Sequence, residues 1–421
     1  KAWFKGRDFA ATVLDPPLAS GPYRIERVDP GRAIVYRRVA DHWGKDLPVY
    51  KGRHNFDRVR FDYYRDRDIA LEAFFAGEYD WREEFTARNW STLYEDRPPM
   101  KNNQVKREVL TDETPSGVQA FFLNTRRDKF KDRRVRMALN LAMDFEWMNR
   151  TLFYGLYSRT RSMFENSELA ATGLPGPAEL ALLNPYRAQL PPEVFTTEYQ
   201  SPRSDAKAGQ DGTRDNLRAA AQLLAEAGWT IKDKTLTNAR TGEPFTMEFL
   251  NYEGTFQRVV NPYIRSLERL GIQASIRVVD VSAFENRRRT FDYDVVIGRF
   301  SQPLTPGVEQ RNYWGSANAE MTGGLNFSGV KEPVVDALIE RIVGAADRPA
   351  LLAATRALDR VLMWGAYTVP QWYSGKHRLA YWDKFGRPAL KPKYELGLID
   401  TWWVDGAKEA VLPEKIRSPK N

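Results

Sequence analysis

Residues 20–80 constrain the fold of this 421-residue chain more than any other stretch. Ser20-Gly21-Pro22 is a turn signal ahead of an alternating stretch, Tyr23 and Ile25 followed by Ile34 and Tyr36, which suits a hairpin with one buried face. Asp41-His42-Trp43-Gly44 punctuates the end of that hairpin. Val59, Phe61 and Tyr63 alternate again between Arg58 and Tyr64, and a short helix through Leu71-Glu72-Ala73-Phe74-Phe75-Ala76 follows, with Gly77 as its C-terminal cap.

A chain of this length holds two domains, each with its own core. Hydrophobic residues make up 42% and charged residues 28%, ordinary values for a water-exposed globular protein, and no run of 18 apolar residues offers a membrane span. Lys1-Ala2-Trp3-Phe4-Lys5-Gly6 lacks the apolar core and small-residue cleavage site of a signal peptide. The chain has no cysteine, which removes disulfides, thiolate nucleophiles and cysteine–zinc sites together. The formal charge is +8, and the basic runs are Lys129–Arg134 and Arg287-Arg288-Arg289. Acidic residues are scattered among the other basic ones, so these runs read as solvated faces and predict no nucleic-acid partner.

Residues 1–113 read as mostly β with short helices, 114–374 as a large α/β domain, and 375–421 as a return to the first. Ala120–Thr125 is a buried strand. It leads into a helix opened by Asp132, whose stripe is Val135, Ala138, Leu139, Ala142, Phe145, Met148 and Leu152. Residues 165–212 are rich in Pro, Gly, Ser and Asn and form a surface excursion, partly mobile from Ser201 to Gly212. Leu217, Ala221, Leu224 and Ala225 give a helix ended by Gly228-Trp229, and Thr246–Leu250 a strand. Val259, Tyr263, Ile264, Leu267 and Leu270 give a helix stopped by Gly271. A strand at Ile272–Val278, a helix near 282–289 and a strand at Tyr293–Gly298 complete the arithmetic of an α/β sheet covered by helices. Helices near 333–343 and 349–363 and a strand at Thr368–Trp372 follow.

Four stretches of the chain carry a resemblance. The Gly-Pro-Tyr, Trp-Gly and Ala-Gly-Glu-Tyr-Asp series of residues 21–80 resembles the signature of family 5 extracellular solute-binding proteins, the peptide, nickel and oligosaccharide receptors of ABC importers. Asn124-Thr125…Phe130-Lys131-Asp132-Arg133-Arg134-Val135-Arg136-Met137-Ala138-Leu139 looks like that family's entry into its C-terminal lobe, and Ala221–Trp229 like its Ala-Gly-Trp helix end. Pro370-Gln371-Trp372-Tyr373…Arg378-Leu379-Ala380-Tyr381-Trp382-Asp383-Lys384-Phe385 is similar to the ending of Yej-type receptors, associated with oligopeptide and microcin C-type import. The resemblance implies a two-lobed α/β periplasmic binding protein of type II, cluster C. It also implies a first lobe that is incomplete in this chain, completed by a further N-terminal segment of the same protein or by a second chain. The implied role is non-enzymatic capture by hinge closure in the periplasm, as a monomer, with delivery to an inner-membrane permease and its ATPase subunits.

Only His42, His54 and His377 occur, none at metal-ligand spacing, and neither a Gly-x-Ser-x-Gly elbow nor a phosphate loop exists. No cofactor, metal or catalytic residue is expected, and His42 reads as part of the Trp-Gly turn. Asp292 and Asp294 share a strand face and leave open an acid-pair hydrolase, which requires them to face a solvent-connected cavity. Aromatic residues, 13% of the chain, cluster in polar settings such as Tyr313-Trp314, Trp372-Tyr373 and Asn251-Tyr252, suiting a cleft with amphipathic walls. The family holds peptides in extended form between its lobes through main-chain hydrogen bonds. On that resemblance the pairing strand is Gly298-Arg299-Phe300-Ser301-Gln302, and Phe122, Asn124, Tyr252, Tyr313, Trp314, Trp372 and Tyr373 are further ligand-binding candidates. Gln302 stands where amine-binding members carry Asp, which leaves another acid, Glu309 or Glu320, or a different anchor. The leading ligand is a short peptide of relaxed sequence; a murein-peptide, oligosaccharide or peptide-conjugate receptor is the alternative.

Overall fold

The computed structural model describes residues 5–6, 15–204, 212–252 and 254–417; most of the Ser201–Gly212 stretch expected to be mobile lies outside them. The chain divides into two compact units, Lys1–Asp112 with Lys376–Asn421, and Glu113–Gly375.

In the first unit, β1 (Tyr23–Asp29), β2 (Ala33–Arg38) and β3 (Arg58–Asp62) form an antiparallel sheet in that order. The expected hairpin forms, with Ile25 opposite Tyr36 and a bulge between Ile25 and Arg27. His42 is buried and both ring nitrogens serve the turn: Nε2 lies 3.0 Å from the Ser20 carbonyl, and Nδ1 accepts from Gly44 N at 3.2 Å. The helix Arg67–Ala76 is capped by the Asp66 carboxylate, which accepts from the Asp68 and Ile69 amides, and ends on Gly77 at φ 81°. Any side chain at Gly77 would also meet Ile416 Cδ1 at 2.0 Å. After β4 (Trp81–Glu83) and β5 (Val105–Thr111) the chain enters the second unit.

That unit is built on a five-stranded sheet. Its strands are β6 (Val118–Leu123), β10 (Thr246–Asn251), β11 (Gln273–Val278), β12 (Val295–Phe300) and β13 (Thr368–Pro370), ordered β11-β10-β12-β6-β13. β10, β11, β12 and β13 run parallel, and β6 runs against its neighbours. Short pairs lie outside it: β7 (Ser158–Arg159) with β14 (Trp372–Tyr373), and β8 (Trp229–Lys232) with β9 (Thr235–Asn238). The near-continuous apolar run of β6 is buried on both faces, as a central strand between helix layers requires.

Two helix expectations need correction. The stripe from Val135 to Leu152 is two helices, Arg133–Leu141 and Phe145–Thr151. Asp144 breaks it because its carboxylate caps the second helix at Trp147 N, 3.0 Å away. The helix Gly212–Glu226 buries Leu217, Ala220 and Leu224, and leaves Ala221 and Ala225 in solvent. Behind the sheet, Arg360 and Glu179 form a buried ion pair at 2.6 Å, and the Arg360 guanidinium also donates to the Thr172 and Gly173 carbonyls. The chain then returns through β15 (Lys376–Trp382), which completes the β4-β15-β5 sheet of the first unit.

Candidate functional site

Because four strands of the second unit run parallel, their C-terminal ends share one edge of the sheet. Asn251, Phe300 and Pro370 end β10, β12 and β13 there, beside Val118 at the start of β6. In open α/β sheets this edge is where ligands bind, since loops leaving it are free of the packing between strands and helices. Of the candidates, Tyr252, Arg299, Phe300, Ser301, Gln302, Trp372 and Tyr373 collect at this edge.

β12 has an unusual flank. It pairs with β6 along its whole length, from Val295↔Leu123 to Phe300↔Val118, but with β10 only at Val295 and Val296. Ile297, Gly298, Arg299 and Phe300 therefore have a ladder on one side only among the described residues. Ile297 and Gly298 are half-buried and Arg299 is exposed. Gly298 cannot carry a side chain, since a Cβ there would sit 2.8 Å from the Phe122 ring and 3.1 Å from Phe327.

The side chains divide differently from their backbones. Phe300 is 3% exposed, its ring stacked 4.2 Å from Tyr313 and edge-on to Phe122 at 4.9 Å, so it offers this edge main chain rather than an aromatic wall. Phe122, Asn124 and Trp314, expected to line a pocket, lie wholly inside the unit. Asn124 is a backbone latch, donating to the Phe291 and Tyr293 carbonyls at 3.0 and 2.8 Å. Tyr313 is half-buried, and burial raises its hydroxyl pKa. Tyr252 is 48% exposed with its ring 4.8 Å from Phe284. Trp372 is half-buried against Phe153 at 4.4 Å. Tyr373 is half-buried, its pKa raised by burial and by Glu165, whose carboxylate it meets.

Gln302 is buried, and its side-chain oxygen accepts from Gln310 Nε2 at 2.6 Å. Gln310 also reaches Glu309 at 3.1 Å, so Glu309 belongs to the Gln302 network. Glu320 is instead engaged by Lys331 at 2.7 Å and Arg126 at 3.8 Å.

Asp294 does line an open pocket of about 670 Å³, with Thr246, Glu248, Gln273 and Lys234. This pocket lies at the N-terminal ends of β10 and β11, the opposite end of the sheet from the open flank. Asp294 is held by Lys129 at 2.8 Å, and Asp292 by Arg127 and Arg287, each at 3.1 Å. Arg127 also lies 3.9 Å from Asp294, so both carboxylates are tied into one shared ion-pair network rather than left free for a substrate. Among the described residues no group of three His, Cys, Asp or Glu could hold a metal ion, and no helix is long and apolar enough to cross a membrane.

Residues 2–321 match the family described as bacterial extracellular solute-binding proteins, family 5 Middle. The chain belongs to this family. It is 42% identical over 412 residues to the "Probable peptide-binding protein YejA" of Agrobacterium fabrum, covering 96% of this chain and 66% of that protein. It is 34% identical over 403 residues to the "Peptidoglycan-binding protein YepA" of the same organism, covering 94% and 65%. Among solved structures it is similar to the oligopeptide-binding protein AppA of Bacillus subtilis, in complex with a nonapeptide, at a TM-score of 0.67 and 19% identity. That match covers 91% of this chain and 66% of AppA. The likeness carries the two-lobed α/β binding-protein fold. The chain spans about two thirds of the length of the curated relatives it matches.

Sequence reasoning missed Gln310, Glu165 and Arg159. No motif marks them, because each reaches this edge through a strand pair or helix start that only the fold brings together.

Proposed function

We propose that this family 5 protein is the substrate-binding component of an ABC importer in the periplasm, holding short peptides of relaxed sequence as an added strand on the open flank of β12. The run Ile297–Phe300, laddered on one side only among the described residues, carries the reading. A peptide laid there exchanges main-chain hydrogen bonds with it, and main-chain bonds do not depend on side-chain identity. The buried state of Phe300 and Gln302 fits, since neither supplies a side-chain selector at that flank. The name of the YejA relative supports the ligand class. Its partners are a membrane permease with ATPase subunits, and the protein acts as a monomer. The half-open sheet of the first unit, with Phe61 38% and Tyr63 56% exposed, suits completion by an N-terminal segment of a longer protein.

The test is calorimetric titration with penta-alanine and with the same peptide N-methylated at alternate amides. Loss of binding on N-methylation supports strand addition, and equal binding refutes it. A murein-peptide ligand is the second reading, favoured by the name of the YepA relative. It is distinguished by native mass spectrometry of the purified protein, where a muropeptide mass replaces a peptide ladder. Neither ligand is turned over, and release of product on incubation overturns the non-enzymatic assignment.

A further inference from the structure

Arg159 is the least satisfied charged group among the described residues. Its Nε, Nη1 and Nη2 are all buried, and none has a hydrogen-bond partner. A guanidinium carries five donors and cannot shed its proton, so this state leaves a full charge desolvated. Burial accordingly pulls its pKa down. The described groups that face it are otherwise occupied. Tyr263 donates to the Leu139 carbonyl at 2.8 Å, and Tyr199 is hydrogen-bonded to Ser201. Asp144 caps Trp147 N and accepts from Thr213 and Ser204, and Glu146 accepts from Ser204 N and Oγ at 2.8 and 2.7 Å. Both carboxylates act on Arg159 through space without touching it. Phe145 lies 5.7 Å from the guanidinium carbon.

Arg159 also sits beside the candidate site. It is the cross-strand partner of Trp372 in the β7–β14 pair, two residues beyond the end of β13. Opposed residues of an antiparallel pair share a face, with Cβ atoms roughly 5 Å apart. Trp372 is half-buried, so the strand pair gives the guanidinium a partly open neighbour at the C-terminal edge of the sheet.

From the vacant donors and this placement we infer that Arg159 is a binding subsite for a planar oxyanion, of the carboxylate class, which enters alongside Trp372. The fork of a guanidinium matches two carboxylate oxygens, and bidentate pairing satisfies the donors that the chain leaves unused. Asp144 and Glu146 lower the net field at the site, so geometry and hydrogen bonding select the ligand more than charge does. Where the oxyanion is the terminal carboxylate of a bound peptide, the inference rests on the peptide reading; where it is a free anion, it stands alone.

The experiment separates the two sources. Sodium acetate is titrated against chloride at fixed ionic strength into the wild type and Arg159→Gln, with tryptophan fluorescence and melting temperature as readouts. Penta-alanine with a free or an amidated C-terminus is then titrated into both. An acetate response confined to the wild type, or a loss on the order of 30-fold on amidation that Arg159→Gln abolishes, supports the subsite. Arg159-dependent acetate binding without any peptide binding supports the subsite and refutes the peptide reading. Peptide binding indifferent to amidation, with acetate acting equally or not at all on both proteins, overturns the subsite and leaves the peptide reading intact. If Arg159→Gln does not fold, Arg159→Lys serves: a weakened acetate or carboxylate response supports the subsite, and an unchanged one overturns it.

Discussion

His377 provides the sharpest test of the energetics. It lies at the start of β15, with Nδ1 2.6 Å from Glu83 and Nε2 3.4 Å from Asp112. Burial alone lowers an imidazole pKa, but hydrogen bonds to Asp112 and Glu83, with their charges, more than reverse this and raise it from 6.5 to about 9. A rise of that size corresponds to about 3.4 kcal/mol at 1.36 kcal/mol per tenfold. The His377 side chain is 16% exposed and its partners Glu83 and Asp112 are 21% and 16% exposed, and screening through that exposure reduces this to roughly 1–2 kcal/mol. The folded pKa is raised, so the stabilisation is fully present below about pH 6.5 and disappears as pH climbs through about 9. Replacing His377 with Gln removes the proton-linked part. Urea unfolding of both proteins between pH 6 and 10, followed by tryptophan fluorescence, should show a stability gap of roughly 1–2 kcal/mol at pH 6 that closes by pH 10. A gap that stays constant or widens with pH refutes the ion-pair account.

Other outcomes follow from burial and pairing. Phe300→Ala removes a ring packed on Tyr313 and Phe122, and should cost about 3–5 kcal/mol in urea unfolding; a loss confined to ligand binding would place the ring at the surface instead. Gln302→Asp, which the family comparison alone expects to be tolerated or to tighten amine binding, puts a carboxylate into a buried site wired through Gln310 to Glu309. Protein stability should fall by roughly 1–3 kcal/mol, and a higher melting temperature would contradict this. Arg360→Met strands the buried Glu179 and should cost about 3–5 kcal/mol, with Glu179→Leu added in a double variant restoring most of it; failure of that rescue in a double-mutant cycle counts against the pair.

Much of the fold was legible along the chain. The β1–β2 hairpin, the Gly77 cap, the Asp132 cap and the helix and strand on either side of Gly271 follow from alternation, helical spacing and local hydrogen-bond chemistry. The errors were also local. Asp144 reads as one polar position in an apolar stripe, and nothing short of its side-chain geometry shows that it caps a new helix. The site was less legible. Trp314 read as a cleft aromatic from its polar setting and Phe122 from the resemblance, and neither distinguishes a wall facing water from one facing another helix; both are buried.

From the order of its residues, then, this protein's family could be read through the resemblance of its motifs, and its α/β construction through local periodicity and capping, which act between near neighbours. That β10 leaves β12 after two pairs, and that Arg159 faces groups already occupied, emerged only once distant segments packed. Pairing length and hydrogen-bond saturation depend on which strands and helices become neighbours in space, and no stretch of sequence carries that by itself.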